Sequence, residues 1–351
     1  MKVHIPEGTI LSPSPGAAYG ARYSTSHKVC DVTVGALAQA VPYELPATDS
    51  GQGSILLVSV PDFQTGGNKV SVVQPIVGGA GGRPMADGVD GTMVILNFLK
   101  NIPTEIFENE MEEVLIHHYG LREDSGGAGK YRGGTGIEIE FETSVPYTSI
   151  TSRCMERYLF GPPGRLGGHA GATGYTLLNP NTDDEREIGK IDVLELAPGE
   201  RLKIGTQGGG GFGDPLERPL ATVAEDVLDG VVDRASASRD YGVVIDLEGQ
   251  IDAEATQRRQ LEIRQQRGWS EAPLYGFDED RKDYMARWSD DLEDAVMEAV
   301  APLPVQLKQF LHQKLRDTIT SSFERGQPIS ADDVADIMRD ETLTLNLSTD
   351  I

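Results

Sequence analysis

Glycine is concentrated in a few short stretches of this chain, and this constrains the fold more than any other feature. The densest stretch is residues 125–136, Ser-Gly-Gly-Ala-Gly-Lys-Tyr-Arg-Gly-Gly-Thr-Gly, in which six of twelve residues are glycine. Residues 78–91 and 207–215 repeat the theme. Ordered glycine costs more backbone entropy than any other residue. Such loops therefore predict either unusual backbone angles or close approach by another backbone or a ligand.

The composition limits the classes of partner that the chain can have. Among 351 residues, 55 are acidic and 31 are lysine or arginine, which gives a formal net charge of −24. Nucleic acids and anionic membranes attract cationic surfaces, so we expect neither as a partner. The two cysteines, Cys30 and Cys154, form no disulfide framework and no metal-binding spacing. No run approaches 18 apolar residues, and we expect a cytoplasmic protein.

Short β-like segments bounded by glycine, proline and aspartate dominate the first two thirds of the chain. They indicate an antiparallel sandwich or barrel-like packing. Residues 66–68 are a plausible hairpin turn between the first two segments, and residues 180–187 resemble an exposed hairpin tip. The predicted strands are 54–60, 70–77, 137–141, near 149–152, 175–178, 191–196 and 201–204.

Helical patterns occur near the start of the chain and again after residue 216. A helix over 29–41 is predicted to be capped by Ser24, Thr25 and Ser26 and stopped by Pro42. Thr222 and Glu225 have the spacing of a capping box, and Gly230 is a natural stop. The remaining predicted helices are 253–267, 280–301, 304–323 and 331–339.

These patterns predict an α+β fold with a β-rich antiparallel core, glycine-rich loops, flanking helices and a helical C-terminal tail. We divide the chain into an extended docking arm (1–22), a main domain (23–267) and an acidic helical tail (268–351). The second boundary lies near 268–277, where Gly268, Pro273 and Gly276 cluster.

The loop at 125–136 could cradle phosphate with its backbone amides. It lacks the GxxxxGK[ST] pattern, because Tyr131 follows Gly129 and Lys130. Tight packing at an interface is the favoured interpretation, and Lys130 and Arg132 are the loop's plausible chemical groups.

The histidines and aspartates suggest two further hypotheses. Ser125, His27 and Asp87 could form a nucleophilic triad, although no GxSxG motif supports it. Asp87 and Asp90 could bind a hard cation, but aspartates beside glycine more often form turns. No histidine spacing predicts a metal site. His117 and His118 are adjacent, so in a regular strand they would face opposite sides.

Four stretches together, at 24–40, 78–88, 124–136 and 208–218, resemble the hydantoinase B family in content and in order. The resemblance covers roughly residues 1–267. The hydantoinase B family includes B subunits of ATP-dependent hydantoinases, the C-terminal part of 5-oxoprolinase and subunits of acetone and acetophenone carboxylases.

The resemblance implies a partnership with a hydantoinase A-type chain that binds ATP and Mg and phosphorylates the substrate's carbonyl or enol oxygen. The B-type chain receives the activated intermediate and completes hydrolysis or carboxylation, and a pocket that excludes water protects the intermediate until that second step. The catalytic candidates are Asp87, Ser125 and His27. The candidates for binding substrate or phosphate are Arg83, Lys130 and Arg132.

The chain matches only the C-terminal half of that family. The N-terminal half carries the metal-ligand motifs, so Mn or Zn in a complex would be bound outside this chain, by a further chain that supplies that half. Three functions stay open: a subunit of a cyclic-amide hydrolase, a subunit of a ketone carboxylase, which the helical tail slightly favours, or a non-catalytic structural half-subunit.

Overall fold

A computed structural model describes residues 5, 9–13, 15–16, 20, 22–92, 104–303 and 305–344. Most of the predicted arm at 1–22 lies outside these residues. The chain divides into two compact units, residues 1–278 and residues 279–351.

The first unit contains two antiparallel sheets and a two-stranded pair. A four-stranded sheet has the order β2-β1-β5-β9, and a five-stranded sheet has the order β3-β4-β10-β7-β8. The strands are β1 (Gly53–Asp62), β2 (Gly67–Val77), β3 (Val114–Leu121), β4 (Ile137–Thr143), β5 (Thr148–Arg153), β6 (Gly164–Arg165), β7 (Tyr175–Leu178), β8 (Arg186–Glu187), β9 (Val193–Leu196), β10 (Arg201–Gly205) and β11 (Tyr275–Gly276).

One apolar core joins the two sheets. Alternate residues of β1 point inward, and Leu56, Val58 and Val60 are fully buried. They belong to one cluster with Phe141 of β4 and Leu202 of β10, on the other sheet. The period of two places these side chains on one face of each sheet. The predicted α+β class with an antiparallel core is confirmed.

Helices flank the sheets and form the second unit. In the first unit they are α1 (Arg22–Ala38), α2 (Thr104–Glu110), α3 (Leu220–Leu228), α4 (Arg234–Asp240) and α5 (Ala253–Gln266). In the second they are α6 (Glu279–Arg287), α7 (Asp290–Val300), α8 (Val305–Glu324) and α9 (Val334–Thr344). The second unit has its own core, which includes Trp288, Val296, Leu315 and Met338. Among the residues described, no helix is both long and apolar enough to cross a membrane.

Two predicted helix starts were wrong. Helix α1 begins at Arg22, and the hydroxyl of Ser26 donates to the Arg22 carbonyl within the helix at 3.1 Å. That hydroxyl bonds back to the preceding turn and does not cap. Helix α3 begins at Leu220, directly after Pro219, which has φ −57° and no side-chain capping bond. Thr222 therefore lies inside the helix.

The two adjacent histidines lie on the same face of the sheet, contrary to the prediction. The pairing of β3 with β4 shifts between Ile116 and His118. His117 lies 2.9 Å from Glu142 and His118 lies 3.8 Å from Glu138, two side chains four residues apart on one face of β4. A β-bulge turns the extra residue and so cancels the alternation.

Candidate functional site

Glycine-rich segments from four parts of the chain contact one another. They are residues 78–82, 126–136, 164–171 and 207–213, which we call the glycine bundle. Consecutive amides of one segment donate to different neighbours, unlike the amides of a β-ladder. For residues 209–211, the bonds are Gly209 N to Gly134 O (2.8 Å), Gly210 N to Thr48 O (2.8 Å) and Gly211 N to His169 O (2.9 Å).

In the segment 126–136, close approach and not positive φ explains the glycines, whereas Gly167 and Gly213 elsewhere in the bundle have φ of +91° and +77°. No glycine between 126 and 136 has positive φ. A Cβ atom on Gly133 would overlap the carbonyl oxygen of Gly209, and one on Gly209 would overlap that of Ala80. The absence of a side chain lets backbones pack directly against one another.

Backbone amides of the loop at 125–136 donate hydrogen bonds to other residues of this chain. Gly127 N donates to Gly209 O and Gly134 N to Ala80 O, at 2.8 and 2.7 Å. Gly136 N donates to the Ser125 hydroxyl at 2.8 Å. These amides are therefore not available to cradle a phosphate. The packing that they form lies within the chain, so packing of this loop at an interface stays a prediction.

A network of two buried arginines and three half-buried aspartates lies against the bundle. The guanidinium of Arg218 donates to both carboxylate oxygens of Asp87, at 2.7 and 2.8 Å, and to Asp226, at 2.8 and 3.0 Å. Arg132 donates to Asp90 at 2.8 and 3.3 Å and lies 3.8 Å from Asp226. We call these five residues the arginine network. Its bidentate pairs are the strong form of charged hydrogen bond.

The arginine network fixes the loop that contains Asp87 and Asp90. Besides its pair with Arg218, Asp87 accepts from the Arg132 amide at 2.7 Å, and Asp90 accepts from the Thr135 amide at 2.7 Å. Burial alone would raise the pKa of Asp87, but Arg218 and Arg132 outweigh it and hold the pKa below its usual value. Asp87 is therefore ionised and paired.

The predicted binding residues are brought to one region, with different surroundings. Arg83 is exposed and donates to the Asp87 carbonyl at 2.6 and 3.0 Å. Lys130 lies 3.2 Å from Glu217. Arg132 is buried in the network. Of the three cations, Arg83 is the one that is exposed and has no ion pair among the residues described.

The predicted triad residues have separate neighbours. Ser125 is fully buried, and its hydroxyl donates to the Arg122 carbonyl at 2.7 Å. His27 lies buried in α1, where burial lowers its pKa. The Asp87 carboxylate binds Arg218. The Ser125 hydroxyl also accepts from the Gly136 amide at 2.8 Å, so Ser125 and Asp87 are each held by other partners.

A second cluster of charges surrounds His27. Lys28 donates to the Gly51 carbonyl at 3.2 Å, and Arg157 donates to Asp31 at 2.7 Å. Arg157 has φ +51°, which is uncommon for a residue other than glycine. Burial, reinforced by the charge of Arg157, lowers the pKa of Lys28 to about 8.

Sequence reasoning missed Arg218 and Asp226, which complete the network. Arg218 ends one of the four stretches that carry the family resemblance, so a signal was present. Asp226 was one of the 55 acidic residues of the chain, with no local pattern to distinguish it. No group of three or more potential metal ligands occurs in the described part of the chain, and the three network carboxylates are held by arginine.

Comparisons with known proteins place these features in context. The model of the hydantoinase B/oxoprolinase family matches residues 1–215. Caprolactamase subunit beta of Pseudomonas jessenii is 33% identical over 267 residues, which are 72% of this chain and 44% of that subunit. The chain spans less than half the length of the first curated relatives it matches.

Two solved structures are similar. The crystal structure of ATP-dependent caprolactamase from Pseudomonas jessenii has a TM-score of 0.55 and 31% identity, covering 64% of this chain and 40% of that one. Nucleotide-free acetone carboxylase has a TM-score of 0.52 over 90% of this chain and 42% of that one. At 17% identity, the second likeness is one of fold alone.

Proposed function

This chain belongs to the hydantoinase B/oxoprolinase family, and from that premise we propose that it is a subunit of a multi-subunit, ATP-dependent enzyme that hydrolyses a phosphorylated cyclic amide. The observation that supports this most directly is the similarity to ATP-dependent caprolactamase in both sequence and structure. The resemblance noted in the sequence is thus confirmed at the level of the family.

The proposed reaction divides between two kinds of subunit. A hydantoinase A-type partner binds ATP with Mg and phosphorylates the amide oxygen, which becomes a good leaving group. This chain helps to enclose the activated intermediate. Water adds to the amide carbon, the ring C–N bond breaks with the nitrogen leaving as an amine, and a second water releases phosphate from the resulting acyl phosphate. Enclosure matters because a phosphorylated amide exposed to bulk water would be lost to uncoupled hydrolysis.

Within this chain, we assign contact with the intermediate to Arg83. Its guanidinium is exposed and is oriented by the carbonyl of Asp87. Asp87 is in turn fixed by Arg218, so the loop is held in place before substrate arrives. A preorganised cation stabilises developing negative charge without reorganisation cost. Arg132 and Asp87 are positioning residues in this scheme, and Ser125 supports the loop.

A further polypeptide would complete the active site. The chain spans 44% of caprolactamase subunit beta, and we propose that polypeptide corresponding to the rest of that subunit supplies the remainder of the site. Any Mn or Zn would be bound there.

A ketone carboxylase subunit is the second candidate. The likeness to acetone carboxylase covers 90% of this chain, whereas the first compact unit, residues 1–278, makes up only about 79% of it. The shared fold therefore extends into the helical second unit. A purely structural half-subunit is the third alternative.

The test is co-expression with an A-type chain and a chain supplying the missing half, followed by assays with ATP. The substrates are caprolactam, hydantoin or 5-oxoproline, and acetone with bicarbonate. Amide-dependent product is expected, and Arg83→Ala should lower its rate at least about tenfold. Arg258→Ala, which alters an exposed arginine on α5, should stay within about twofold.

Three other results are informative. Product from acetone and bicarbonate alone would replace the hydrolase with the carboxylase. Product with no loss in Arg83→Ala would remove the role of Arg83. A complex that needs this chain to assemble, but whose turnover is unaffected by substitutions in it, would leave only the structural role.

A further inference from the structure

Three arginines of the first unit are almost completely buried, and one of them differs from the others. Arg132 and Arg218 are 5% and 4% exposed, and both are paired with aspartates of the arginine network. Arg165 is 1% exposed. No salt bridge to Arg165 occurs among the residues described.

The surroundings of Arg165 are backbone and aromatic. It lies on β6, where its amide donates to Gly211 O at 2.8 Å and its carbonyl accepts from Gly213 N at 2.9 Å. Its side chain makes one hydrogen bond within the described chain, from Nη1 to the Leu45 carbonyl at 3.3 Å. The ring of Tyr275 lies 5.9 Å from its Cζ atom.

One edge of this guanidinium has no hydrogen-bond partner among the described residues. The Nε atom is buried and makes no hydrogen bond to any described residue. Because Nη1 is directed to Leu45, the remaining donors are Nε and Nη2, which lie side by side on one edge. Two parallel N–H groups on that edge match two oxygens of a carboxylate or a phosphate.

Leaving such a charge unpaired is costly. A buried guanidinium loses its hydration and recovers the loss only through a counter-charge and satisfied donors. Burial lowers the pKa of Arg165, with Tyr275 opposing. Asp214, the acid that follows Gly213, is held by Arg267 at 2.5 Å, so it does not provide the counter-charge.

We propose that Arg165 is the anchor of an oxyanion-binding site, in which its Nε–Nη2 edge binds two oxygens of a carboxylate or phosphoryl group. The strand that pairs with β6 beside this site is short. Strand β11 is two residues long, and it pairs Tyr275 with Arg165 and Gly276 with Gly164. Displacing this short strand would open a path to the guanidinium. The site is separate from the assignment of Arg83 and does not rest on the proposed reaction.

The test is calorimetric titration of the full chain in HEPES buffer, with inorganic phosphate and with formate at matched ionic strength. We expect one binding site per chain. Arg165→Met should weaken binding at least tenfold. Arg153→Met changes the net charge equally at an exposed arginine and should bind like the wild type, which controls for general electrostatics.

Thermal unfolding of the same proteins provides an independent readout. Without phosphate or formate, Arg165→Met should melt no lower than the wild type, because it removes an uncompensated buried charge. With the ligand present, only proteins that retain Arg165 should gain stability. If Arg165→Met fails to fold, Arg165→Lys replaces it, since lysine keeps the charge but lacks the two parallel donors, and a tenfold weaker affinity is expected.

The relative affinities identify the source of the oxyanion. Tighter binding of phosphate supports a phosphoryl ligand, and tighter binding of formate supports a carboxylate. Equal binding by the wild type and Arg165→Met, or no binding of either probe to the wild type, would overturn the proposal.

Discussion

Gly209 shows why this fold needs glycine where two backbone segments pack directly against each other. A Cβ atom there would overlap the Ala80 carbonyl, which belongs to a neighbouring segment of the bundle. Since backbone atoms on both sides are fixed by hydrogen bonds, the overlap cannot be relieved by a side-chain rotation. We predict that Gly209→Ala lowers the free energy of unfolding by about 3 kcal/mol or more, measured by urea denaturation.

Gly67→Ala is the matched control. Gly67 lacks positive φ, and the nearest atom to an added Cβ is the Thr65 hydroxyl oxygen at 3.6 Å. Gly67→Ala should change the free energy of unfolding by no more than about 1 kcal/mol, the range for exposed strand positions. Equal effects of the two substitutions would show that backbone contact is not why the bundle uses glycine.

Because of Lys28, the free energy of unfolding is expected to change with pH in the alkaline range. Its pKa is about 8 in the folded chain and 10.5 when unperturbed. Between these values the unfolded chain binds more protons, so stability rises with pH as the buried charge is lost. Relative to Lys28→Met, the wild type should gain up to about 3 kcal/mol between pH 7 and pH 11, measured by chemical denaturation. A constant difference across that range would contradict the assignment.

At the residue scale, chemistry that depends on spatial neighbours was not visible in the sequence. The glycine stretches indicated close approach or unusual angles, and only the contacts of Gly133 and Gly209 decide between them. Asp87 and Arg132 were identified as candidates, but Arg218, which pairs with the Asp87 carboxylate, lies 131 positions away from it in the sequence. No local pattern encodes such a distance.

At the element scale, the arginine network ties the loop around Asp87 to helix α3. Arg218 contacts both, since it bonds to Asp87 and to Asp226 on that helix. Replacing it leaves two carboxylates without their main counter-charge in a largely buried position. We predict that Arg218→Met lowers the free energy of unfolding by about 3–5 kcal/mol in urea.

Arg258→Met serves as the comparison, because Arg258 is exposed on α5. Surface changes of this kind usually stay within about 0.5 kcal/mol. If Arg218→Met lowered the free energy of unfolding as little as Arg258→Met, the arginine network would not be what holds the loop in place.

Elements with strong periodicity were predictable, and their ends were less so. Strand β7 has the predicted limits, and α5 differs from prediction by one residue at its C-terminus. The predicted starts of α1 and α3 failed because Ser26 bonds within its helix and Pro219 precedes the first turn of α3. Hydroxyl residues fit both caps and helix interiors, so their presence alone does not locate a helix start.

At the scale of the whole molecule, the division into two units predicts independent folding of the first. Residues 1–278 include β11, where the Tyr275 hydroxyl donates to the Gly35 carbonyl at 2.5 Å. A truncation after residue 267 removes that strand together with its pairing to Arg165. We predict that residues 1–278 unfold cooperatively and melt several degrees above residues 1–267, as measured by circular dichroism.

Equal melting temperatures would show that residues 268–278 add nothing to the first unit. In that case the boundary would lie near 268, as the cluster of glycine and proline in the sequence suggested.

The most direct test of the proposed function is substrate-coupled ATP hydrolysis by a reconstituted complex. ADP release and ring-opened product should appear in equal amounts when the A-type chain, the chain supplying the missing half and this chain are combined with caprolactam, hydantoin or 5-oxoproline. Omitting this chain should abolish product formation. Undiminished, amide-coupled turnover in its absence would contradict the proposal that this chain is part of the enzyme.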